Sequence, residues 1–225
     1  MLIKGLQKAS FVDWDGKIAT VLFCAGCNFK CGFCFNKELV NSSSELVEIP
    51  EKKILEFLES RKNFIDGVVI TGGEPCLQKD LPEFIAKIKL PVKLDTNGSN
   101  PEILEYLIKN KLINYIAMDI KAPLNRYQEV AKSKILNLKS KILKSINLII
   151  ESGIDHEFRS TLVPGIHTEK DIKKMAQLIK GGKRYFLQNF KPGNTLDSRL
   201  KNTKPFASLE KFARIADRII QTKIR

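Results

Sequence analysis

Short runs rich in β-branched and aromatic residues alternate along the chain with stretches whose apolar residues recur at helical spacing. The strand-like runs are 18–24, 67–71, 92–96, 115–120, 156–163 and 184–190. Helical spacing occurs at 54–58, 84–88, 103–107, 138–149, 172–179 and 209–219, each with an apolar stripe along one side. Six strands separated by helices predict parallel strands joined by right-handed crossovers.

The expected fold class is α/β, a single-domain partial (β/α)6 barrel with parallel strands and helices outside. An N-terminal β-hairpin with its turn at Asp15-Gly16 is expected to precede the barrel. Within residues 1–225, we assign 1–24 to the hairpin and first barrel strand, 25–36 to a loop, and 191–225 to a closing loop and C-terminal helix. The polar segments 122–137 and 191–207 are expected to line the barrel mouth.

Composition limits the possible classes of protein. At 225 residues and 43% hydrophobic content, the chain can bury one good core. No apolar run approaches the roughly 18 residues that a membrane-spanning helix needs, and the first residues lack the apolar core of a signal peptide. Five cysteines, four of them bunched, suit reduced thiols better than a disulfide framework. We therefore expect a cytoplasmic protein without a membrane partner.

The charge balance is strongly positive. Lysine and arginine outnumber aspartate and glutamate by 38 to 25, which gives a net charge of +13. Such a field favours acidic partners, including phosphates, nucleic acid or an acidic protein. The alternative explanation is a lysine-rich host proteome, because the lysines are scattered along most helices and do not form one block.

The cysteine cluster carries the most specific signal. Cys27, Cys31 and Cys34 are spaced CxxxCxxC directly after the first barrel strand. Three thiolates on one short loop can hold three irons of an iron-sulfur cube and leave the fourth iron open to a small molecule. Structural zinc is the alternative, since Cys24 and the three others form two CxxC pairs. Zinc ribbons usually separate such pairs by about 12 to 20 residues, and the much shorter separation here favours the iron-sulfur cluster.

Polar residues follow the second, third and fourth strands. Gly72 and Gly73 would let the backbone approach a ligand closely, and Glu74 could pair with an ammonium group; an ordinary glycine turn is the alternative. Asp95 and Asp119 end the next two strands and would repel each other at one barrel mouth unless a cation or a donor lay between them. Asp95 could instead cap its own turn.

Arg159 and the two histidines leave more than one interpretation open. A guanidinium inside the barrel would need an anion such as a carboxylate, which a cofactor could supply. The alternation of a strand could equally point Arg159 outward to a helix acid. His156 and His167 have no partner at metal-ligand spacing, which favours a structural role or an exposed position.

Seven motifs together resemble a known family. They are 10–17 (SFVDWDGK), 26–31 (GCNFKC), 71–75 (TGGEP), 95–98 (DTNG), 118–121 (MDIK), 159–165 (RSTLVPG) and 188–190 (QNF). The CxxxCxxC spacing resembles the cluster motif of radical S-adenosylmethionine (SAM) enzymes. The whole set is similar to the activating enzymes of glycyl-radical proteins, and within that group it most resembles the anaerobic ribonucleotide reductase activating branch.

The resemblance implies roles for individual residues. The segment containing Glu74 would hold the methionine amino group of SAM, and Phe33 would abut its adenine, although local packing is another interpretation of Phe33. Asp95 and Asp119 match positions that surround a monovalent cation beside the methionine carboxylate, and Lys121 would face the cofactor. Gln188, with its neighbour in sequence, could reach the ribose, although small polar residues at strand ends usually satisfy the backbone.

Two features depart from the family pattern. Phe35 stands where many relatives have histidine after the third cysteine, and Cys24 is an additional thiol. Cys24 could block the cofactor if it reached the open iron, but its position at the end of the strand predicts that it points elsewhere. Cys76 is expected to be a small buried hydrophobic residue.

The resemblance therefore implies an activase that reductively cleaves SAM at one 4Fe-4S cluster and generates a glycyl radical on a partner enzyme, anaerobic ribonucleoside-triphosphate reductase above others. A low-potential donor such as flavodoxin or ferredoxin would supply the electron. A pyruvate formate-lyase-type activating enzyme and another radical SAM modifying enzyme remain alternatives. A zinc-bearing basic module that binds nucleic acid is the alternative of another class, although basic and aromatic residues are not clustered on one element.

Overall fold

The computed structural model describes residues 1–40 and 46–225, which form one eight-stranded sheet with eight α-helices. The strands are β1 (Ile3–Ser10), β2 (Ala19–Cys24), β3 (Gly67–Gly72), β4 (Val92–Thr96), β5 (Tyr115–Asp119), β6 (Asp155–Leu162), β7 (Tyr185–Asn189) and β8 (Thr222–Ile224). The helices are α1 (Lys37–Val40), α2 (Glu51–Arg61), α3 (Leu81–Ala86), α4 (Pro101–Lys109), α5 (Tyr127–Ala131), α6 (Leu138–Glu151), α7 (Glu169–Leu178) and α8 (Glu210–Asp217). None of these helices is long and apolar enough to cross a bilayer.

The strand order in the sheet follows the order along the chain, from β1 at one edge to β8 at the other. β1 and β2 pair antiparallel, and every later neighbour pair is parallel. The predicted α/β fold with parallel strands is therefore confirmed, as is the hairpin before it. Gly16 adopts a positive φ of 72° in the hairpin connection, where a side chain would be strained.

The last segment differs from the expectation of a closing loop and a C-terminal helix. After α8 the chain forms β8, which pairs in parallel with β7 and extends the sheet by one strand. Three residues, Thr222 to Ile224, are too few to show the alternation by which strands are recognised in a sequence. The short helix α5 within 122–137 was missed for the same reason.

The main apolar core lies between the sheet and the helices. One face of the strands supplies side chains such as Leu22, Ile70, Leu94 and Phe158, and the helices supply Ile54, Phe84, Leu104, Ile142 and Met175. The predicted helical stripes are thus the buried faces of α2, α3, α4, α6, α7 and α8. Burial of these residues is the principal source of stability for the fold.

Helix α7 illustrates how local sequence sets the boundaries. Thr168 and Asp171 form a capping box, in which each side chain accepts a hydrogen bond from the backbone N–H of the other residue. Gly181 follows with a positive φ of 98°, as expected for the end of a helix.

The other face of the strands forms a second, smaller cluster of Trp14, Ala19, Val21, Val69 and Tyr115. The Trp14 and Tyr115 rings lie 5.7 Å apart, so the β1–β2 connection places an aromatic plug against the amino ends of the strands. A Cβ atom on Gly67 would lie 2.7 Å from the Trp14 ring, and glycine is therefore required there. The carboxyl ends of the strands stay available for a site.

Candidate functional site

The cysteine loop leaves the carboxyl end of β2 and is tied by backbone hydrogen bonds to α1 and α5. The Gly26 backbone N–H donates to the Leu39 carbonyl at 2.7 Å, and the Lys30 N–H donates to the Ala131 carbonyl at 2.9 Å. The Cys34 N–H donates to the Cys31 carbonyl at 3.0 Å, which closes a turn. The loop therefore has a defined backbone path along which the predicted ligands are distributed.

All three predicted ligands are free thiols in a largely buried setting. Burial, together with the Glu74 carboxylate, raises the pKa of Cys27 to about 12, and burial raises that of Cys31 to about 11. Burial raises the pKa of Cys34 as well. Lys121 opposes each shift, because its ammonium group stabilises the thiolates. Without a metal these thiols are protonated at neutral pH, and a bound metal would displace the protons.

The donor set fits an iron-sulfur cluster by its chemistry. Three free thiols on one short loop are the ligands that such a cluster takes. Cys27, Cys31 and Cys34 lie within eight residues of the chain. In the described ranges 1–40 and 46–225, no three His, Cys, Asp or Glu side chains form a site for a single metal ion, whereas an iron-sulfur cluster takes each thiolate at a different iron.

The remaining two cysteines, Cys24 and Cys76, lie outside the cysteine loop. Cys24 is fully buried at the end of β2, on the same strand face as Leu22, and belongs to the core between sheet and helices. Cys76 is buried in the same core, next to Glu74, as expected for a small hydrophobic residue.

Gly72 and Gly73 pack on the cysteine loop itself. A Cβ atom on Gly72, which has a φ of 118°, would lie 2.4 Å from the Cys24 backbone, and one on Gly73 would lie 2.0 Å from the Gly26 carbonyl oxygen. The Gly73 N–H donates to the Cys24 carbonyl, and the Glu74 N–H donates to the Gly26 carbonyl, both at 2.8 Å. The close approach is therefore between the backbone of Gly72 and Gly73 and the backbone of the cysteine loop, which pack directly on each other.

Glu74 connects the ends of β3 and β4. Its fully buried carboxylate accepts hydrogen bonds from the Cys76 N–H at 3.1 Å, the Thr96 hydroxyl at 2.7 Å and the Asn97 N–H at 2.6 Å. Burial raises the pKa of Glu74, and these hydrogen bonds oppose the rise. In this arrangement both carboxylate oxygens bind protein donors, so Glu74 positions the loops around the cysteines.

Arg159 points into the barrel and lies between the two predicted carboxylates. Its guanidinium donates to Asp95 Oδ2 and to Asp119 Oδ1, each at 2.9 Å, and Lys121 Nζ lies 3.0 Å from Asp119 Oδ2. The donor between the two carboxylates is therefore a residue of the chain itself. The turn after β4 is capped by Thr96 and Asn97, not by Asp95.

These charges remain ionised at neutral pH. Burial opposes ionisation of Asp119, but attraction to Arg159 and Lys121 outweighs it and lowers the pKa of Asp119 to about 2. Burial likewise opposes the charged forms of Lys121 and Arg159, yet the neighbouring carboxylates raise the pKa of both. The mouth thus holds a fixed pattern of two anions and two cations.

Two members of this network were missed by the sequence analysis. Lys93 is 0% exposed, and its Nζ donates to the Asp13 carbonyl at 2.5 Å and to Glu157 at 3.4 Å. The same nitrogen lies 3.8 Å from Asp95 Oδ1. Lys93 precedes Asp95 by two residues, as Glu157 precedes Arg159, and this period-two repeat of charges was the available signal.

Phe33 and Gln188 occupy the periphery of the mouth. Phe33 is buried, and its ring lies 6.1 Å from that of His167 in an edge-on arrangement. His167 accepts a hydrogen bond from the Val163 N–H at 3.0 Å, and its other nitrogen lies 2.9 Å from the Lys121 carbonyl. Gln188 is half-buried on β7, opposite Thr161.

The segment 191–207 crosses the cysteine loop. The Asp197 N–H donates to the Gly32 carbonyl at 2.8 Å, and the Asn194 amide donates to the Phe35 carbonyl at 2.8 Å. Lys132, which follows α5, lies 3.1 Å from the Asp197 carboxylate. We call residues 191–207 the strap; it covers the outer side of the cysteine loop.

Comparisons with known proteins place the chain in a family. The family model described as the Radical SAM superfamily matches residues 21–179. A protein of Methanocaldococcus jannaschii assigned as a glycyl-radical enzyme activating enzyme is 38% identical over 207 residues, which are 89% of this chain and 84% of the relative. The pyruvate formate-lyase-activating enzyme of Clostridium pasteurianum is 28% identical over 79% of this chain and 76% of its own length.

Solved structures show the same fold. Streptococcus suis SuiB matches with a TM-score of 0.67 and 18% identity over 91% of this chain. This chain spans about half of that structure, 48% of its length. Radical SAM proteins use a 4Fe-4S cluster and SAM. On the family match and the 38% identity over most of its length, the chain belongs to the Radical SAM superfamily.

Proposed function

We propose that this protein is an activating enzyme that cleaves SAM reductively and generates a glycyl radical on a partner enzyme. The observation that carries this proposal is the 38% identity, over most of both chains, to a relative assigned as a glycyl-radical enzyme activating enzyme. Anaerobic ribonucleoside-triphosphate reductase is the proposed partner, supported by the motif set of the sequence. The zinc-bearing nucleic-acid module is set aside because the chain belongs to the Radical SAM superfamily.

In this proposal Cys27, Cys31 and Cys34 hold the cluster. When bound, the cluster and SAM together supply a carbon-centred radical that can take a hydrogen atom from a glycine α-carbon. Because the thiols are largely buried, little water would reach a metal that they bind. The ammonium group of Lys121 would offset the negative charge of the thiolates. Cys24 is left out of the ligand set because it is the last residue of β2 and is fully buried there, outside the cysteine loop.

The polar groups at the barrel mouth would orient SAM. Lys121 and Arg159 can face its carboxylate, and Asp95 and Asp119 can face its ammonium and sulfonium charges. Glu74 would act through the backbone of β4 and the cysteine loop and not by direct contact. Phe33 and Gln188 are proposed to contact the adenine and the ribose, respectively.

A monovalent cation is an optional addition to this site. Arg159 already lies between the two carboxylates and compensates their charge. A cation would therefore have to share Asp95 or Asp119 with the guanidinium.

The proposal is tested with anaerobically reconstituted protein. We expect about four irons per chain, cleavage of SAM on reduction, and loss of cleavage in Cys27→Ala, Cys31→Ala and Cys34→Ala. Cys24→Ala and Cys76→Ala are matched controls that retain iron and cleavage. Loss of cleavage in Cys24→Ala would contradict the choice of ligands, and one colourless zinc per chain would contradict the function.

The partner is tested by electron paramagnetic resonance. The reduced protein with SAM is mixed with anaerobic ribonucleoside-triphosphate reductase, and a glycyl radical signal on the reductase is expected. A pyruvate formate-lyase-type protein is the second candidate, favoured by the 28% identity to the Clostridium pasteurianum enzyme. A radical on that protein alone would change the partner and keep the chemistry.

A further inference from the structure

A small basic cavity opens on the outer side of the cysteine loop. It has a volume of about 330 Å³ and is lined by Lys30, Gly32, Lys132, Leu196, Asp197 and Ser198. Gly32 directly follows Cys31 and stands two residues before Cys34. The cavity floor therefore belongs to the short stretch of backbone that joins two of the proposed cluster ligands.

The walls of this cavity carry excess positive charge. Lys30 is exposed, and the side chain of Lys132 is 48% exposed. Arg199 is 83% exposed and lies 2.7 Å from Asp197, the carboxylate of the cavity. The cavity and its rim thus carry three cations and one carboxylate, on a chain whose net charge is +13. The feature that distinguishes this patch from the scattered surface lysines is its position over the cluster loop.

The strap fixes the shape of the cavity. The Asp197 N–H donates to the Gly32 carbonyl at 2.8 Å, and a Cβ atom on Gly32 would lie 3.0 Å from that of Asp197. Lys132 and Arg199 both bind the Asp197 carboxylate, so the cations are held at the rim by the same residue. Cys31 itself is buried, with only 6% of its surface exposed, and of these two adjacent residues it is Gly32 that lines the cavity.

We propose that this cavity and its cationic rim dock an acidic one-electron carrier protein of the flavodoxin or ferredoxin class. The inference rests on the proposed function, which requires one external electron for each SAM cleaved. The carrier gives one electron to the cluster and is itself oxidised by one electron, while no bond forms or breaks in this step. Asp95, Asp119, Lys121 and Arg159 lie at the barrel mouth and remain free for SAM and the glycine-bearing partner.

Charge complementarity is the reason for an acidic carrier. Cations around a site of approach raise the association rate of an oppositely charged protein by about 10- to 1,000-fold, and salt weakens the effect. The glycine-bearing partner enzyme is the competing occupant of this surface.

The test compares two triple variants of the reconstituted protein with equal change in net charge. The cavity variant carries Lys30→Gln, Lys132→Gln and Arg199→Gln. The control carries Lys52→Gln, Lys53→Gln and Lys89→Gln, at exposed positions on α2 and after α3. Flavodoxin binding is measured by flavin fluorescence, and cluster reduction by reduced flavodoxin is followed by stopped-flow absorbance.

In the cavity variant we expect flavodoxin association to slow about tenfold or more at low ionic strength, with a weaker salt dependence. The control should change less than about twofold. Iron content and dithionite-driven SAM cleavage should be unchanged in both variants. Equal flavodoxin association in both variants would overturn the docking proposal. A failure of SAM cleavage with dithionite in the unmodified protein would instead overturn the proposed function. If the cavity variant binds flavodoxin normally but activates the glycine-bearing partner more slowly with dithionite, the cavity belongs to that partner and the docking proposal is wrong.

Discussion

The two faces of the same parallel strands bury very different chemistry. On the face toward the helices, β4 and β6 present Leu94 and Phe158 to an apolar core. On the face inside the barrel, the same strands present Lys93, Asp95 and Arg159, together with Glu157, in a buried charge network. Residues adjacent in sequence thus serve different purposes according to the direction of the side chain.

The energetic meaning of the two faces differs as well. Apolar burial toward the helices stabilises the fold in proportion to the area removed from water. Buried ion pairs give little net stability, because the cost of removing both charges from water offsets their attraction, while loss of one partner is costly. We infer that the helix-facing side holds the fold together, whereas the barrel-facing side is retained for the chemistry at the mouth.

The largest loss of stability is expected from a substitution on the apolar face. Phe158→Ala removes a fully buried ring from the core, and the free energy of unfolding should fall by about 3–5 kcal/mol. Phe64→Ala makes the same chemical change at a position that is 69% exposed and should cost less than about 0.5 kcal/mol. Urea unfolding of the metal-free proteins under reducing conditions measures both. Similar losses in the two variants would contradict the assigned core.

The next largest loss of stability is expected from a substitution in the charged face. Arg159→Met leaves Asp95 and Asp119 buried without their shared donor, and the free energy of unfolding should fall by about 3 kcal/mol. SAM cleavage by the reconstituted protein should be lost. Adding Asp95→Asn and Asp119→Asn removes the uncompensated charge, so the triple variant should recover much of the stability but none of the activity. Recovery of activity with stability would show that the network serves folding alone.

The smallest effect concerns a polar residue on the apolar face. His156 lies next to Phe158 on the helix side; burial lowers the pKa of His156, and its Nε2 accepts a hydrogen bond from the Lys183 N–H at 3.1 Å. The unfolded chain therefore binds a proton more readily than the folded chain. Stability should fall as the pH drops below about 6.5, by at most about 1.4 kcal/mol per pH unit for each such histidine.

Comparison of the unmodified protein with His156→Gln isolates this contribution. The free energy of unfolding of both proteins is measured by urea titration between pH 7.5 and 5.5. His167, whose pKa is also lowered by burial, contributes to the slope in both proteins. If His156→Gln has the same slope as the unmodified protein, His156 binds a proton as readily in the folded chain as in the unfolded chain. That result would contradict the prediction.

Much of the fold was predictable because its elements repeat a strong local pattern. The six barrel strands and the six longer helices were predicted within a few residues, since each has a hydrophobic run or stripe of sufficient length. β8 and α5 were missed because their residues are too few to show a period. The pairing of β8 with β7 depends on the position of the preceding helix and not on any motif of its own.

The candidate site was predictable in composition and less so in geometry. The cysteine spacing pointed to one loop, and the carboxylates pointed to strand ends. The direction of Arg159 could not be settled from the sequence, because a strand presents both faces and both carried buried residues. Glu74 illustrates the same limit: a carboxylate expected to meet an ammonium group accepts its hydrogen bonds from Cys76, Thr96 and Asn97 of the protein.

Most of the elements, their parallel order and the set of thiols on one loop could be predicted, because they follow from local periodicity and short-range spacing. Three features became visible only in the folded chain: which charges meet, the position of Lys93 inside the barrel, and the cover of Gly32 by the strap. Such contacts join residues tens of positions apart, and they form only when packing of the strands and helices fixes the direction of each side chain.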